Sequence, residues 1–538
     1  MLAVARNLVS AIRLVHVMGI FADDPRVRIR WTIVPGSDYA DETSEYLAAL
    51  GMRLTPWDRA CATEHALIIA TSANGDLHRL RGPLLLLPHG AGFNRVVAAD
   101  ESAPAGLASA QLLHEGRVVP EIVGLEHENQ HERLAFHCPD AAARGVVLGD
   151  PTRDRMAVGA GLRTVYRRTL GVSGQQALVV LSSTWGPGSL LDAHPDLPVR
   201  LAAALPFDDH RIAAIVHPNA AARMGSWEVG RLLSRSQDAG LRLVPPDRWE
   251  STVLAADLVI GDHGSVSLYA AAAGVRLLLG AYDAAQIVAD SPMAALSARV
   301  PHLRPGASLE SELRTALAQD VHTPAYEQAR DAFGIVGRSL PTTQHVAYRL
   351  LGLSRPSKEP DIRAPEPCRR EQNRTAHLVI VERSPDHQGT YSVRRFAPHI
   401  DPDLLAAYDG SEVCRHLTMA ETDLDMYVRD NAEVVFLDPP DNQLESFPDQ
   451  ASSVFAHQAP CATAIATVTR RGHCQIVLRN YGSVDLHTGR TDLDETILPS
   501  VLLALISVEG GDVPTAVGRL RTGVPIRVGG IEAVATVS

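Results

Sequence analysis

Lysine is almost absent from this chain of 538 residues: Lys358 is the only one, and it lies in the proline-rich run SRPSKEPDIRAPEP. A P-loop needs a lysine beside its glycines and a pyridoxal-phosphate enzyme needs one for its Schiff base, so both classes are excluded. The six cysteines (Cys61, Cys138, Cys368, Cys414, Cys461, Cys474) include no Cys-x-x-Cys pair. That leaves neither a zinc ribbon nor a disulfide framework, and a reducing cytoplasm is the expected home. No basic tract offsets the net charge of −12, which argues against a nucleic-acid partner. No apolar run is long enough to span a bilayer, and the apolar first twenty residues carry Arg6, Arg13 and His16, which spoils a signal peptide. The expectation is a cytoplasmic protein without a transmembrane segment, with peripheral contact at the inner face of a membrane left open.

What is present describes an ordinary globular protein, with 46% hydrophobic and 21% charged residues. At this length one core does not suffice, and two or three domains are expected. The clearest stretch is LVIGDHGSVSLYAAAAGVRLLLG, Leu258 to Gly280. It reads as a buried strand, a polar turn (Asp262, His263, Gly264), a helix from Ser265 or Val266 that stops at Gly274, and a second buried strand. In a parallel α/β sheet such a turn lies outside the carboxyl end of a strand, where a helix N-terminus favours an anion. Gly264 would admit a phosphate closely and Ser265 and Ser267 would add hydroxyls; alternatively Asp262 simply caps the helix and the serines fill its first turn.

Upstream, strands and helices alternate, which predicts a parallel sheet wrapped by helices. The strand Pro83 to Leu87 runs into Pro88-His89-Gly90-Ala91-Gly92-Phe93-Asn94-Arg95 and so places His89 at the edge of a cleft. His127-Glu128-Asn129-Gln130-His131, with His137 beyond, matches a zinc-hydrolase pattern. Leu134, however, stands where the chain would have to turn, so His137 cannot close the tetrahedron on a continuous helix. The segment is read as a polar surface helix, with zinc hydrolysis through His127 and His131 as the remote alternative and no metal otherwise expected. A second strand series then ends at Ser183-Thr184-Trp185-Gly186, at His217-Pro218 and at the Asp262 turn.

These strand ends carry a resemblance. His89-Gly90, Gly149-Asp150-Pro151-Thr152-Arg153-Asp154, Ser183-Thr184-Trp185-Gly186, His217-Pro218 and Asp262-His263-Gly264-Ser265 resemble, in order and spacing, motifs of the CDP-glycerol glycerophosphotransferase family of teichoic-acid-type polymerases. The match covers about residues 65 to 285. It departs from the family at Gly186, His263 and Gly264, where arginine, tyrosine and serine are usual. The resemblance implies two Rossmann-like domains in GT-B arrangement and a metal-independent transfer of a glycerophosphate or glycosyl group. The donor would be a nucleotide diphosphate such as CDP-glycerol, itself a substrate, so that no cofactor is needed. The acceptor would be a hydroxyl, a polymer or lipid-linked molecule being among those allowed. It also implies catalytic roles for His89 and His217 and donor binding by Asp262, His263, Gly264, Ser265, Ser267, Thr184 and Trp185. Gly90, Asn94, Arg95, Arg153 and Asp154 are the further cleft candidates. The departures admit a second reading, a catalytically inactive nucleotide-binding or regulatory relative.

The expected organisation is an α/β chain: residues 1–163 as the acceptor-side domain, 164–353 as the donor domain with a helical tail packing back across both halves, 354–375 as a proline-rich linker, and 376–538 as a separate α+β accessory domain. The last is expected to hold strands at His377 to Val381 and Val434 to Leu437 and a hairpin around Arg470-Arg471-Gly472. The acidic run Glu421 to Asp430 is read as a solvated face rather than a cation site.

Overall fold

In the computed structural model the apolar runs become short parallel strands buried on both faces, the pattern expected when helices cover both sides of a sheet. The structure describes residues 1–36, 40–97, 100–370, 376–384, 389–408, 410, 412–438, 445–508 and 510–538. The first sheet comprises β1 (Leu2–Ala5), β2 (Arg30–Ile33), β3 (Ile68–Ala70), β4 (Leu84–Leu86), β5 (Ile122–Leu125) and β6 (Gly145–Val147), in the order β6-β5-β4-β3-β1-β2. All its pairs are parallel. Helix α1 (Leu8–Val17) leaves β1 through Asn7, whose side chain accepts from the Ser10 N–H. Helices α2 (Gln130–His137) and α3 (Pro151–Gly159) follow β5 and β6.

The second sheet comprises β7 (Ala177–Ser183), β8 (His210–Val216), β9 (Leu241–Leu243), β10 (Leu258–Gly261) and β11 (Arg276–Leu279), ordered β9-β8-β7-β10-β11 and again wholly parallel. Helices α4 (Pro218–Met224), α5 (Trp249–Ala255) and α6 (Ser265–Ala272) connect its strands. In each sheet the order reverses once, between β1 and β3 and between β7 and β10. At such a reversal the loops leave in opposite directions and open a crevice beyond the strand ends.

Helix α7 (Ser339–Leu351) returns to the first sheet, burying Leu340, Val346, Ala347 and Tyr348 with Leu14, Ile20 and Leu85. The chain from Ser354 to Arg370, expected as a linker, is laid against the body of the protein. Cys368 is buried in the core of the second sheet, and Tyr166 Oη donates to Pro365 O at 2.9 Å. The remainder of that expected linker, 371–375, lies outside the described residues.

Beyond it, nine strands close a mixed barrel: β12 (Ala376–Arg383), β13 (Tyr391–Phe396), β14 (Val413–Ala420), β15 (Ala432–Phe436), β16 (Ala464–Arg470), β17 (His473–Leu478), β18 (Gly482–His487), β19 (Val524–Val528) and β20 (Ile531–Val537). Around the barrel the order is β12-β13-β19-β20-β18-β17-β16-β15-β14. Helix α8 (Phe447–His457) covers Met419, Val435 and Ile465, and α9 (Leu498–Val508) buries Leu498 to Leu505 against Val379, Val434 and Ile476. The expected hairpin is present, β16 pairing with β17 across Arg471-Gly472. In the acidic run the Arg429 guanidinium donates to the carbonyls of Glu421 and Asp423, and Asp425 caps the helix Met426–Asn431. Among the described residues no helix is long and apolar enough to cross a membrane.

Candidate active site

Both crevices open into one cavity of about 540 Å³ between the two parallel sheets. From the first half it is lined by the ends of β1 (Arg6, Asn7), β3 (Thr71, Ser72) and β4 (His89, Gly90). The second half contributes the ends of β7 (Thr184, Trp185), β8 (His217) and β10 (His263, Gly264, Ser265). Asn94 and Arg95 also line it.

The two histidines are held in opposite tautomers. His89 Nδ1 lies 3.0 Å from Thr71 O; a carbonyl only accepts, so Nδ1 carries the proton and Nε2 offers its lone pair. The Asn219 N–H donates to His217 Nδ1 at 3.1 Å, so the neutral His217 ring carries its proton on Nε2. The His89 ring is open to the cleft and hemmed in by protein elsewhere, which lowers its pKa; the backbone bond to Thr71 opposes the shift, and Arg13, Arg6 and Arg95 add to it. His217 is held down to about 3, first by desolvation and then by the charges of His89 and Arg95. Both rings face the cleft, so these depressions are fullest when a bound ligand covers them.

Helix α6 starts beside the His89 loop and borders the same cavity. The space where a Gly90 side chain would begin lies 3.5 Å from Ser265 Oγ, so the His89 loop abuts the helix tip. At Gly264, the N-cap, a Cβ would sit 2.5 Å from Thr184 Cγ2, so any other residue would force the joint to shift. The buried Asp262 carboxylate is used within the protein. It accepts from Thr184 N and Oγ1 at 2.7 Å, Leu190 N at 3.0 Å and Gly264 N at 2.9 Å, and thereby locks the ends of β7 and β10 together. His263 lines the cavity with Nδ1 accepting from the Asp283 N–H at 3.4 Å. Arg95 donates to Gln286 at 2.5 Å, which spans the two halves, and Arg223 lies 6.0 Å above the Trp185 ring.

Other candidates stand elsewhere. Ser267 is buried and donates to Asp262 O at 2.6 Å, so it closes the first turn of α6 instead of facing the cleft. Arg153 reaches back toward Ala272 O, and Asp154 accepts from Gly337 N and from Ser339 N and Oγ, thereby capping α7; neither lines the cavity. Asn94 lines it but is engaged: it donates to Ala91 O within its own loop and accepts from the Met293 N–H, a bond that ties the halves together. The zinc pattern is broken in three dimensions, because α2 begins at Gln130 and leaves His127 outside it with Nδ1 accepting from the Asn129 N–H. Among the described residues no group of three His, Cys, Asp or Glu side chains could hold a metal ion.

Sequence reasoning passed over the floor of the cleft. Arg13, read there only as an interruption of an apolar run, lines the cavity and donates to Asp150 Oδ2 at 2.6 Å; Tyr269 Oη donates to the same oxygen at 2.8 Å. Arg13 and Asp150 belong to the first half and Tyr269 to the second, so a buried charged bond joins the two. Trp249, Glu250 and His16 line the same end. Partners so distant in the chain leave no local pattern to read.

No family model matches the chain, and no curated protein matches it. Among solved structures it is similar to the wall teichoic acid polymerase TagF, at 14% identity and TM-score 0.45 over 65% of this chain and 89% of that one. It is also similar to the UDP-GlcNAc 2-epimerase of Methanocaldococcus jannaschii, described in complex with UDP-GlcNAc and UDP, at 10% identity and TM-score 0.41 over 64% of this chain and 99% of that one. The UDP-GlcNAc 2-epimerase of Neisseria meningitidis, bound to UDP-GlcNAc, is 10% identical at TM-score 0.43 over 65% of this chain and 99% of that one.

Proposed function

We propose that the two parallel-sheet halves form a GT-B arrangement. In this reading the protein is a metal-independent transferase that moves a glycerophosphate or glycosyl group from a nucleotide-diphosphate donor to an acceptor hydroxyl. One observation carries the reading: imidazoles from separate halves, fixed in complementary tautomers, share a cavity with the free N-terminus of α6. His89 Nε2 would take the proton of the acceptor hydroxyl as its oxygen bonds to the donor's phosphorus or anomeric carbon. Such a base contributes about 10²- to 10⁴-fold. The bond to the nucleotide breaks, and the charge gathering on the departing phosphate would meet the first N–H groups of α6, the Ser265 hydroxyl, Arg95 and the neutral Nε2–H of His217. Asp262, His263, Gly264, Thr184 and Trp185 would shape the donor side, with Asp262 acting by holding the tip in place.

Purified protein incubated with CDP-glycerol and a panel of nucleotide sugars should release nucleotide in an acceptor-dependent way, and His89→Ala should abolish the release. Tight donor binding without turnover in the unmodified protein would favour the regulatory reading instead. Gly186, with open space where the family's motif has an arginine, is the observation on that side.

A further inference from the structure

Between His89 and Arg95, both on the cavity wall, the chain makes a turn that its own residues do not favour. Gly92 has φ +81° and Phe93, which is not a glycine, has φ +46°. A side-chain-bearing residue enters that region only when its surroundings impose it. Those surroundings come from the stretch that imitates a zinc motif. Glu126 Oε2 accepts from the Gly92 N–H at 2.6 Å, and Arg133 Nη1 and Nη2 donate to the carbonyls of Gly92 and Phe93, each at 3.0 Å. The Phe93 ring is buried in the core of the first sheet, so the turn is pinned from three sides. Glu126 is itself fixed, its N–H donating to Gln130 Oε1 at 2.7 Å.

We infer that Glu126 and Arg133 are positioning residues for His89, holding the Gly90–Asn94 turn so that the imidazole faces the Ser265 end of α6. The role in catalysis rests on the transferase reading; the hold on the turn rests on geometry alone.

The other carboxyl oxygen, Glu126 Oε1, is buried and receives no N–H or hydroxyl. It faces Arg13 of α1 and Asp150 at the start of α3, with Arg133 of α2 and Tyr269 of α6 close by. Burial first, and Asp150 second, push the Glu126 pKa well above the ordinary carboxylate range. The protonated form of Glu126 is thus favoured beside Asp150, where its proton can lie between the two carboxyl groups. On ionisation, two carboxylates crowd one guanidinium, and the repulsion acts on the group that holds Gly92. Glutamine at this position reproduces the protonated form at every pH, accepting from Gly92 and donating to Asp150.

The test uses full-length protein and the variants Glu126→Gln, Glu126→Ala and Arg133→Met. Amide hydrogen exchange of the 90–94 segment needs no substrate. It should quicken at least about tenfold in Glu126→Ala and Arg133→Met at pH 7, while Glu126→Gln stays within about threefold of the unmodified protein. As pH is raised through the titration of Glu126, the unmodified protein should lose protection that Glu126→Gln keeps at the same pH. In the nucleotide-release assay, displacing the base by about 1 Å costs on the order of 10²-fold. Glu126→Ala and Arg133→Met should thus lower kcat on that scale with donor KM within twofold, and Glu126→Gln should restore kcat and flatten the alkaline limb. Unchanged exchange in both Glu126→Ala and Arg133→Met overturns the inference, as does a loss that appears in KM alone or that Glu126→Gln fails to repair. If no donor is turned over, the transferase reading falls while the exchange result still decides the hold on the turn.

Discussion

At the scale of single residues, the protein's histidines divide by what surrounds them. His89 and His217 border a cavity, whereas His416 in the barrel is buried with Nε2 2.7 Å from Ser500 Oγ. Burial holds the His416 pKa down at about 4, so the folded protein keeps this ring neutral while the unfolded chain protonates it below about 6.5. Between those values the unfolded state binds the extra proton, and stability therefore falls as pH falls, by about 1.4 kcal/mol per unit. His416→Gln should flatten the dependence of unfolding free energy on pH between 6.5 and 4.5 by close to one proton's worth in urea titrations. An unaltered slope would mean that the site does not stay neutral. In the cleft the same reasoning applies to turnover. Because the His89 pKa is lowered, most fully under a bound ligand, a base at this position remains unprotonated at mildly acid pH, and the acid limb of kcat should lie below the ordinary histidine value of about 6.5. A limb at or above that value would show that His89 is not the group responsible.

At the scale of elements, the joint between β7 and β10 has no slack. Adding a Cβ at Gly264 would drive it into Thr184 Cγ2 at 2.5 Å and toward Asp262 Oδ1 at 3.0 Å, the atoms that clamp both strand ends. Gly264→Ala should therefore weaken donor binding by about tenfold or more in equilibrium titration, the α6 tip being displaced by several tenths of an ångström. Ser265→Ala removes only a hydroxyl and should cost about 1 kcal/mol or less. Equal affinity for Gly264→Ala and the unmodified protein would remove α6 from the donor site. This unit was legible in the sequence because it is local: an apolar run, a polar turn, alanines and Gly274 mark strand, loop, helix and strand within 23 residues. The side-chain directions were not. Ser265 and Ser267 look equivalent on paper, yet two positions along a helix is about half a turn, which sends Ser265 to the cavity and Ser267 to Asp262 O. For the same reason Arg153 and Asp154 carry a family-like motif and still serve packing. The barrel was the least legible part, with β13, β14, β18 and β19 unforeseen. Its partners are far apart in sequence, β13 pairing with β19 across more than a hundred residues, and no local period reports such a pairing.

At the scale of the whole molecule, the barrel is joined to the second sheet by a charged group where an apolar contact would be expected. Ile380, Phe396 and Ile400 do bury with Leu197, Leu201 and Leu313 of the second unit. Among them Arg395 is 8% exposed and bonds Asp208 at 2.6 Å across the junction and Asp494 of the barrel at 2.7 Å. The side chain of Asp208 is 6% exposed, so removing the guanidinium would strand a carboxylate in the junction. Breaking one partner of a buried pair costs about 3–5 kcal/mol, whereas removing both charges together costs much less. Arg395→Met should accordingly separate a single unfolding transition into two, the barrel melting apart from the parallel sheets, and the double variant with Asp208→Asn should recover much of the loss. Calorimetry of the two variants decides the matter: a single transition in Arg395→Met lowered by less than about 1 kcal/mol would show that the apolar contacts alone hold the barrel. Since the cleft lies between the two parallel sheets and, among the described residues, none of its lining belongs to the barrel, nucleotide release should survive Arg395→Met at temperatures below the first transition.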